Sequence, residues 1–160
     1  MRGIVAFDSV YGNTGKVAQA IAEELRAQGH EAEVIDLGRK VPRLKEGDFV
    51  FVGSPTRMGR MTGRAKKFVK RLDRDHFSSR PVVPFDTMLK LPAEPEARVK
   101  ALKWTEHGAA IMIKELAEQR GLKVYDRVLR VNVTGLRGPL APEGLDEAKA
   151  FTRSFLGTAK

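Results

Sequence analysis

The chain has 160 residues, of which 42% are hydrophobic and 31% charged, and this composition suits one domain with a sizeable core rather than two domains. It contains no cysteine, which excludes disulfides, thiolate metal sites, iron–sulfur clusters and cysteine nucleophiles. The net charge is +9, no apolar run approaches the roughly 18 residues of a membrane helix, and Asp8 comes too early for a signal peptide, so we expect a basic, soluble, cytoplasmic protein with no membrane contact.

Apolar runs typical of buried strands alternate with helical patterns along the chain. The runs predict strands at residues 4–7, 32–37, 48–53, 81–85 and 123–133, the last with an irregular continuation. The helical spacing of apolar residues predicts helices at 14–28, 62–73, 105–120 and 142–156, and residues 94–104 are compatible with a further short helix. Continuous apolar strands must be covered on both faces, so this order predicts an α/β fold: one doubly wound domain over residues 1–160, with a five-stranded parallel sheet of order 2-1-3-4-5 and helices on both faces.

Ligands of such sheets bind at the carboxyl ends of the strands, near the switch in strand order beside the first strand. The loops of interest are therefore 8–14, 53–61 and 86–105.

The first of these loops has the composition of a phosphate site. Ser9, Tyr11, Asn13 and Thr14 offer donors, and Gly12 lets the backbone approach an anion closely. The helix that follows adds the positive end of its dipole. This predicts a site for one phosphate; the alternative is a plain helix cap by Ser9 or Asn13.

Two rival phosphate motifs are absent from the same loop. Gly15-Lys16 is followed by Val17 and preceded by Val10 where Walker A needs its first glycine, and the Gly-x-Gly-x-x-Gly pattern of dinucleotide sites is missing as well.

The segment Ser9-Val10-Tyr11-Gly12-Asn13-Thr14 resembles the loop that holds the phosphate of flavin mononucleotide (FMN) in the flavodoxin family. The resemblance implies a flavodoxin-like fold, FMN as the cofactor, and phosphate contacts mostly through main-chain amides and hydroxyls. The implied cofactor-binding residues are Ser9, Val10, Tyr11, Gly12, Asn13 and Thr14.

The segment Pro55-Thr56-Arg57-Met58-Gly59, followed by Met61 and Gly63, resembles the second loop of the NAD(P)H:quinone reductases related to the tryptophan-repressor-binding protein. That resemblance implies that Pro55, Thr56, Arg57, Met58 and Gly59 border the flavin ring, with Gly59 as the point where a peptide turns toward it. Met58 stands where those reductases usually carry an aromatic residue. The alternative is a purely structural turn made by Pro55 and Gly59.

The third loop adds a weaker resemblance. Phe85-Asp86-Thr87 is similar to a segment that flavodoxin-family domains often carry after the fourth strand, and it implies further cofactor contacts by Phe85, Asp86 and Thr87. Residues 88–104 lack the tyrosine that often stacks on flavin. Trp104 is interpreted as a core residue, with a lid over the ring as the alternative.

The sequence predicts neither a metal site nor catalytic side chains. His30, His76 and His107 have no partner at metal-ligand spacing, and no nucleophile motif is present. Redox chemistry would have to come from the flavin.

The excess positive charge is concentrated in one stretch, residues 57–80, where nine bases face two acids. Helical spacing predicts five bases on or near the outward side of its helix, namely Arg64, Lys67, Lys70, Arg71 and Arg74. This favours an acidic redox partner protein, and nucleic acid is disfavoured because no recognition motif accompanies the charge. The alternative is a solvated helix face.

Three hypotheses for the function follow. The first is an FMN-binding, flavodoxin-like electron-transfer protein. The second is an NAD(P)H-dependent FMN quinone or flavin reductase, with NAD(P)H and quinone as small-molecule partners. The third is a flavin-free binding module that uses its basic face.

Overall fold

The structure, a computed structural model, describes residues 1–159, apart from the side chains of Trp104 and Thr105. Its strands are β1 (Arg2–Phe7), β2 (Glu31–Asp36), β3 (Phe49–Pro55), β4 (Val82–Leu89) and β5 (Leu129–Val133). Its helices are α1 (Asn13–Ala27), α2 (Gly63–Arg71), α3 (Arg74–Phe77), α4 (Pro95–Thr105), α5 (Gly108–Gln119) and α6 (Gly144–Thr158). The Trp104 side chain, which the sequence predicts in the core, lies outside the described part of the structure.

The five strands form one parallel sheet in the order β2-β1-β3-β4-β5, as predicted. Successive residues of β1 point to opposite faces: Val5 packs in one core layer, and Ile4 and Ala6 pack in the other. Helices α1 and α6 cover the first layer, and α2 and α5 cover the second. The predicted α/β class, strand order and double coverage are therefore confirmed.

An aromatic cluster fills the layer beneath α6. The ring of Phe155 lies edge-on against the rings of Phe49 and Phe51, at centroid distances of 5.0 and 5.4 Å. Aromatic pairs in this arrangement contribute about 0.5–1.5 kcal/mol beyond the burial of their area. This cluster anchors α6 to the centre of the sheet.

Strand β4 continues beyond its predicted end at residue 85. Its residues Asp86 and Thr87 pair with the end of β3 on one side and with β5 on the other. The two polar residues interrupt the apolar pattern from which the strand was predicted. They remain in the sheet because their side chains find partners inside the protein.

Two helices have bounds that differ from the predicted ones. The helix predicted at 62–73 ends at Arg71, and the Asp73 side chain caps the separate helix α3 by accepting a hydrogen bond from the His76 amide. The helix predicted from residue 105 begins at Gly108, after α4, whose N-cap is Glu94. Strand β5 is also shorter than predicted, since residue Val124 forms only an isolated bridge to Val82.

Among the described helices, none combines the length and the apolar character that spanning a bilayer would require.

The first prediction concerns the close approach of β3 to β4. A Cβ added at Gly53 would overlap the ring of Phe85, so Gly53→Ala should lower the free energy of unfolding by about 1–3 kcal/mol in urea denaturation. Gly63→Ala is the control, because nothing lies within 4 Å of that Cβ and helix α2 begins there, so we expect no loss of stability. Equal losses in the two variants would contradict the packing described here.

Candidate functional site

A cleft of about 250 Å³ opens at the carboxyl end of the sheet. Its walls come from the loops after β1, β3 and β5 and from the end of β4. Ten predicted cofactor-binding residues line it: Ser9, Val10, Tyr11, Asn13, Thr14, Pro55, Thr56, Arg57, Met58 and Thr87. The three loops chosen from the sequence therefore meet at one place.

The first loop is built so that several backbone amides stay open. Gly12 has a left-handed φ of 91°, and the Ser9 Oγ accepts hydrogen bonds from the amides of Gly12 (3.1 Å) and Gly15 (3.4 Å). Ser9 thus has part of the capping role considered from the sequence, whereas the Asn13 side chain caps no amide of the described residues.

Four other amides of the first loop donate to no acceptor in the described part of the chain. They belong to Val10, Tyr11, Asn13 and Thr14, and all four residues line the cleft. Amides left open at the first turn of a helix, with its dipole behind them, suit an anion such as a phosphate. The residues present therefore fit the phosphate end of FMN.

The side chain of Thr14 has a structural contact of its own. Its Oγ1 lies 2.8 Å from Thr87 Oγ1, and both side chains are buried. This hydrogen bond ties the first loop to the end of β4, so Thr14 helps to set the width of the cleft.

Five residues at the cleft or beside it were missed by sequence reasoning. Four line it directly, namely Met88, Leu89, Val133 and Leu136. The fifth is Arg137, whose guanidinium carbon lies 5.6 Å from the centre of the Tyr11 ring. The rule that ligands bind at strand carboxyl ends would have identified the segment after β5, had the end of that strand been used as well.

The second loop is a tight two-residue turn. Arg57 and Arg60 exchange backbone hydrogen bonds of 2.9 and 3.0 Å, and the residues between them, Met58 and Gly59, both have positive φ, 51° and 77°. This is the pattern of a type I′ turn. A left-handed conformation costs a methionine about 1–3 kcal/mol. The Met58 side chain is 78% exposed at the tip and borders the cleft, whereas Gly59 lines a neighbouring depression and not the cleft.

The structure does not bring Phe85 and Asp86 into the cleft. Phe85 is fully buried against Gly53, and Asp86 is fully buried beneath the second loop. Because β4 runs on to Leu89, the cleft is reached by Thr87, Met88 and Leu89 instead.

Asp86 is the centre of a buried polar network. Its carboxylate pairs with Arg130 of β5 at 2.9 Å and accepts hydrogen bonds from the Thr56 hydroxyl (2.9 Å) and the Ala110 amide (3.0 Å). The Thr56 hydroxyl in turn accepts from the Ala109 amide at 2.9 Å. One carboxylate therefore fixes β5, the first turn of α5 and the second loop relative to one another.

Helix α2 presents its bases in different settings. Arg71 is half-buried and donates to the Val41 carbonyl at 2.8 Å, so it is less exposed than the other bases of this set. Arg64 lies 3.9 Å from the buried carboxylate of Asp8. Lys67 and Lys70 are exposed, as is Arg74 at the start of α3.

The second prediction concerns the Asp86 network. Asp86→Asn should lower the free energy of unfolding by about 3 kcal/mol in urea denaturation, because the partly buried Arg130 guanidinium would then lack its carboxylate. The control is Glu23→Gln, which removes an exposed ion pair to Lys149 and should cost less than about 1 kcal/mol. A loss for Asp86→Asn as small as that of the control would show that the network is not a structural centre.

The similarity of this chain to known proteins identifies its family. A family model described as a flavodoxin domain matches residues 4–131. The uncharacterized protein MJ0732 of Methanocaldococcus jannaschii is 30% identical over 77 residues, which make up 45% of this chain and 20% of that protein. The chain therefore spans about a fifth of the length of this curated relative.

Two solved structures share the fold over nearly the whole chain. A flavodoxin from the domain Archaea superimposes with a TM-score of 0.76 at 23% identity, and 99% of each chain is covered. Oxidised Flavodoxin 1 from Bacillus cereus superimposes with a TM-score of 0.72 at 22% identity, and 98% of each chain is covered. With the family model covering most of its length, this chain belongs to the flavodoxin family.

Proposed function

We propose that this chain binds FMN in the cleft and acts as a cytoplasmic electron-transfer protein. The observation that carries the proposal is the set of four open amides in the wall of the cleft, at Val10, Tyr11, Asn13 and Thr14. A buried anion needs such donors, and this loop offers them without a lysine clamp.

The remaining walls suit a flat aromatic ring. They are largely apolar and are formed by Val10, Pro55, Met58, Met88, Leu89, Val133 and Leu136. Met58 and Leu136 are among the most exposed large apolar side chains, at 78% and 83%, and both stand at the rim. In this proposal they cover the ring and exclude water from it, which removes the cost of their own exposure.

FMN would supply the redox chemistry, as a ring that accepts and releases electrons. The chain's own residues would hold the phosphate at the first loop, orient the ring between the second loop and the end of β4, and limit the access of water. No acid or base is needed for this role, in keeping with cleft walls that, among the described residues, contain no acid and only one base, Arg57.

An absorption spectrum and an FMN titration of the purified protein test this proposal. Flavin absorption after purification, or saturable binding of added FMN, would support it, and failure to bind would leave the flavin-free binding module in its place. Oxidation of NADH or NADPH by the FMN-loaded protein with a quinone would replace electron transfer by the reductase hypothesis, which the resemblance of the second loop favours.

The third prediction tests the first loop with a matched pair of glycines. Gly12 and Gly29 both have left-handed φ, 91° and 85°, nothing lies within 4 Å of a Cβ at either, and they flank opposite ends of α1. Replacing either by alanine should cost about 1–2 kcal/mol of stability. Only Gly12→Ala should also weaken FMN binding, by about tenfold or more, because it disturbs the open amides.

Titration with FMN and with riboflavin, monitored by flavin fluorescence, checks this expectation. Riboflavin lacks the phosphate, so its affinity should change by less than about twofold in Gly12→Ala. Equal weakening of both ligands, or equal effects of the two glycine variants, would show that the loop does not bind the phosphate.

The fourth prediction concerns Arg137. Stacked on Tyr11 beside the open amides, its guanidinium can offset the charge of a phosphate there, so Arg137→Ala should weaken FMN binding about three- to tenfold. Arg127 is the matched control, because it stacks on Phe151 at a similar distance, 5.5 Å, away from the cleft. An Arg127→Ala variant that loses FMN affinity to the same degree would contradict a specific role for Arg137.

A further inference from the structure

A second depression, of about 670 Å³, lies next to the cleft and is here called the basic groove. It runs between the second loop, α2 and α5, and its rim carries four bases, Arg60, Lys66, Lys70 and Lys103. Each of the four side chains is exposed.

The four bases have no carboxylate partner in the described part of the chain. Glu115 also lines the groove, but its carboxylate is 2.9 Å from His107 Nε2. The bases on the other side of α2 differ, since Arg71 and Arg64 already contact groups of the protein itself. The groove therefore gathers three unpaired bases of the basic stretch, Arg60, Lys66 and Lys70, together with Lys103 beside one apolar floor.

The floor of the groove is apolar and adaptable. Met61, Met112 and Leu116 line it and are half-buried. Thioether side chains repack readily around an apolar group that enters. An apolar floor surrounded by a charged rim is typical of protein–protein interfaces.

The groove is held in shape before anything binds to it. Arg120, at the end of α5, donates from Nη1 to the carbonyls of Val69 (2.6 Å) and Leu72 (2.9 Å) at the end of α2. These charge-assisted hydrogen bonds fix the spacing of the two helices that form the walls. A preformed groove lowers the entropic cost of docking.

The groove and the cleft share one side chain. Met58 lines both of them, at the tip of the type I′ turn. Only the Met58 side chain would therefore separate a molecule bound in the groove from a ring bound in the cleft.

We propose that the basic groove docks an acidic redox protein, whose carboxylates contact the rim and whose apolar side chain packs on the methionine floor. The partner's character follows from charge complementarity and from this floor, and its redox role rests on the proposed function. A single-stranded nucleic acid fits less well, because among the described side chains no Phe, Tyr or Trp lines the groove to stack on bases.

The test uses the FMN-loaded full chain and, as the probe, a reduced acidic plant-type [2Fe–2S] ferredoxin. In a stopped-flow experiment, one electron passes from the ferredoxin, which is thereby oxidised, to the bound FMN. Lys66→Glu/Lys70→Glu should slow this reaction about tenfold or more at low ionic strength and remove most of its salt dependence.

The control variant is Lys45→Glu/Lys67→Glu. It changes the net charge equally, also at exposed lysines, but neither residue lines the groove. We expect its rate to fall by less than about threefold, since only the general charge of the molecule changes. The neutral pair Lys66→Gln/Lys70→Gln should give an intermediate rate, and it remains informative if the double charge reversal impairs folding.

A binding measurement separates this inference from the proposed function. When the ¹⁵N-labelled chain is titrated with the oxidised ferredoxin, with and without FMN, complex formation should broaden the signals of amides near Gly59, Met61 and Met112, because these amides exchange between free and bound environments. Broadening there without FMN binding would overturn the proposed function alone. Equal rate losses in the charge-reversal and control variants, broadening elsewhere, no broadening, or tighter binding of a single-stranded oligonucleotide in the groove would overturn this inference.

Discussion

The structure around the cleft depends on the interactions of one buried carboxylate, that of Asp86. A charge removed from water is costly unless it is paired and hydrogen-bonded, and Asp86 meets this condition with Arg130, the Thr56 hydroxyl and the Ala110 amide. Each partner belongs to a different element. Satisfying one carboxylate therefore positions β5, the second loop and the start of α5 together, and a Cβ at Gly108 would overlap the Arg130 side chain within this arrangement.

The two loops at the cleft use their polar groups in different ways. In the second loop the Thr56 hydroxyl takes part in the Asp86 network, and the amides of Arg57 and Arg60 close the turn on each other. In the first loop the Ser9 hydroxyl satisfies two amides and leaves four others open. Rigidity in one loop and unmet hydrogen-bonding capacity in the other is what a site for a ligand with a ring and a phosphate requires.

The position of each base, rather than the net charge of the chain, decides which bases are free to contact a partner. Of the bases between residues 57 and 80, Arg71 binds a backbone carbonyl and Arg64 lies beside Asp8, whereas Lys66 and Lys70 remain unpaired along the groove. Because Met58 lies between the groove and the cleft, the unpaired charge of Lys66 and Lys70 lies where it can orient a partner toward a bound cofactor.

The sequence by itself determined the α/β class, the strand order and the loops that meet at the cleft, since strand runs, helical spacing and the carboxyl-end rule depend on local pattern. It could not place Phe85 and Asp86, because the apolar pattern stops at Asp86 while the strand continues to Leu89. That continuation requires Arg130, distant in sequence, to neutralise the carboxylate within the sheet. Which bases stay unpaired, and which amides stay open, depends likewise on neighbours brought together only when the chain has folded.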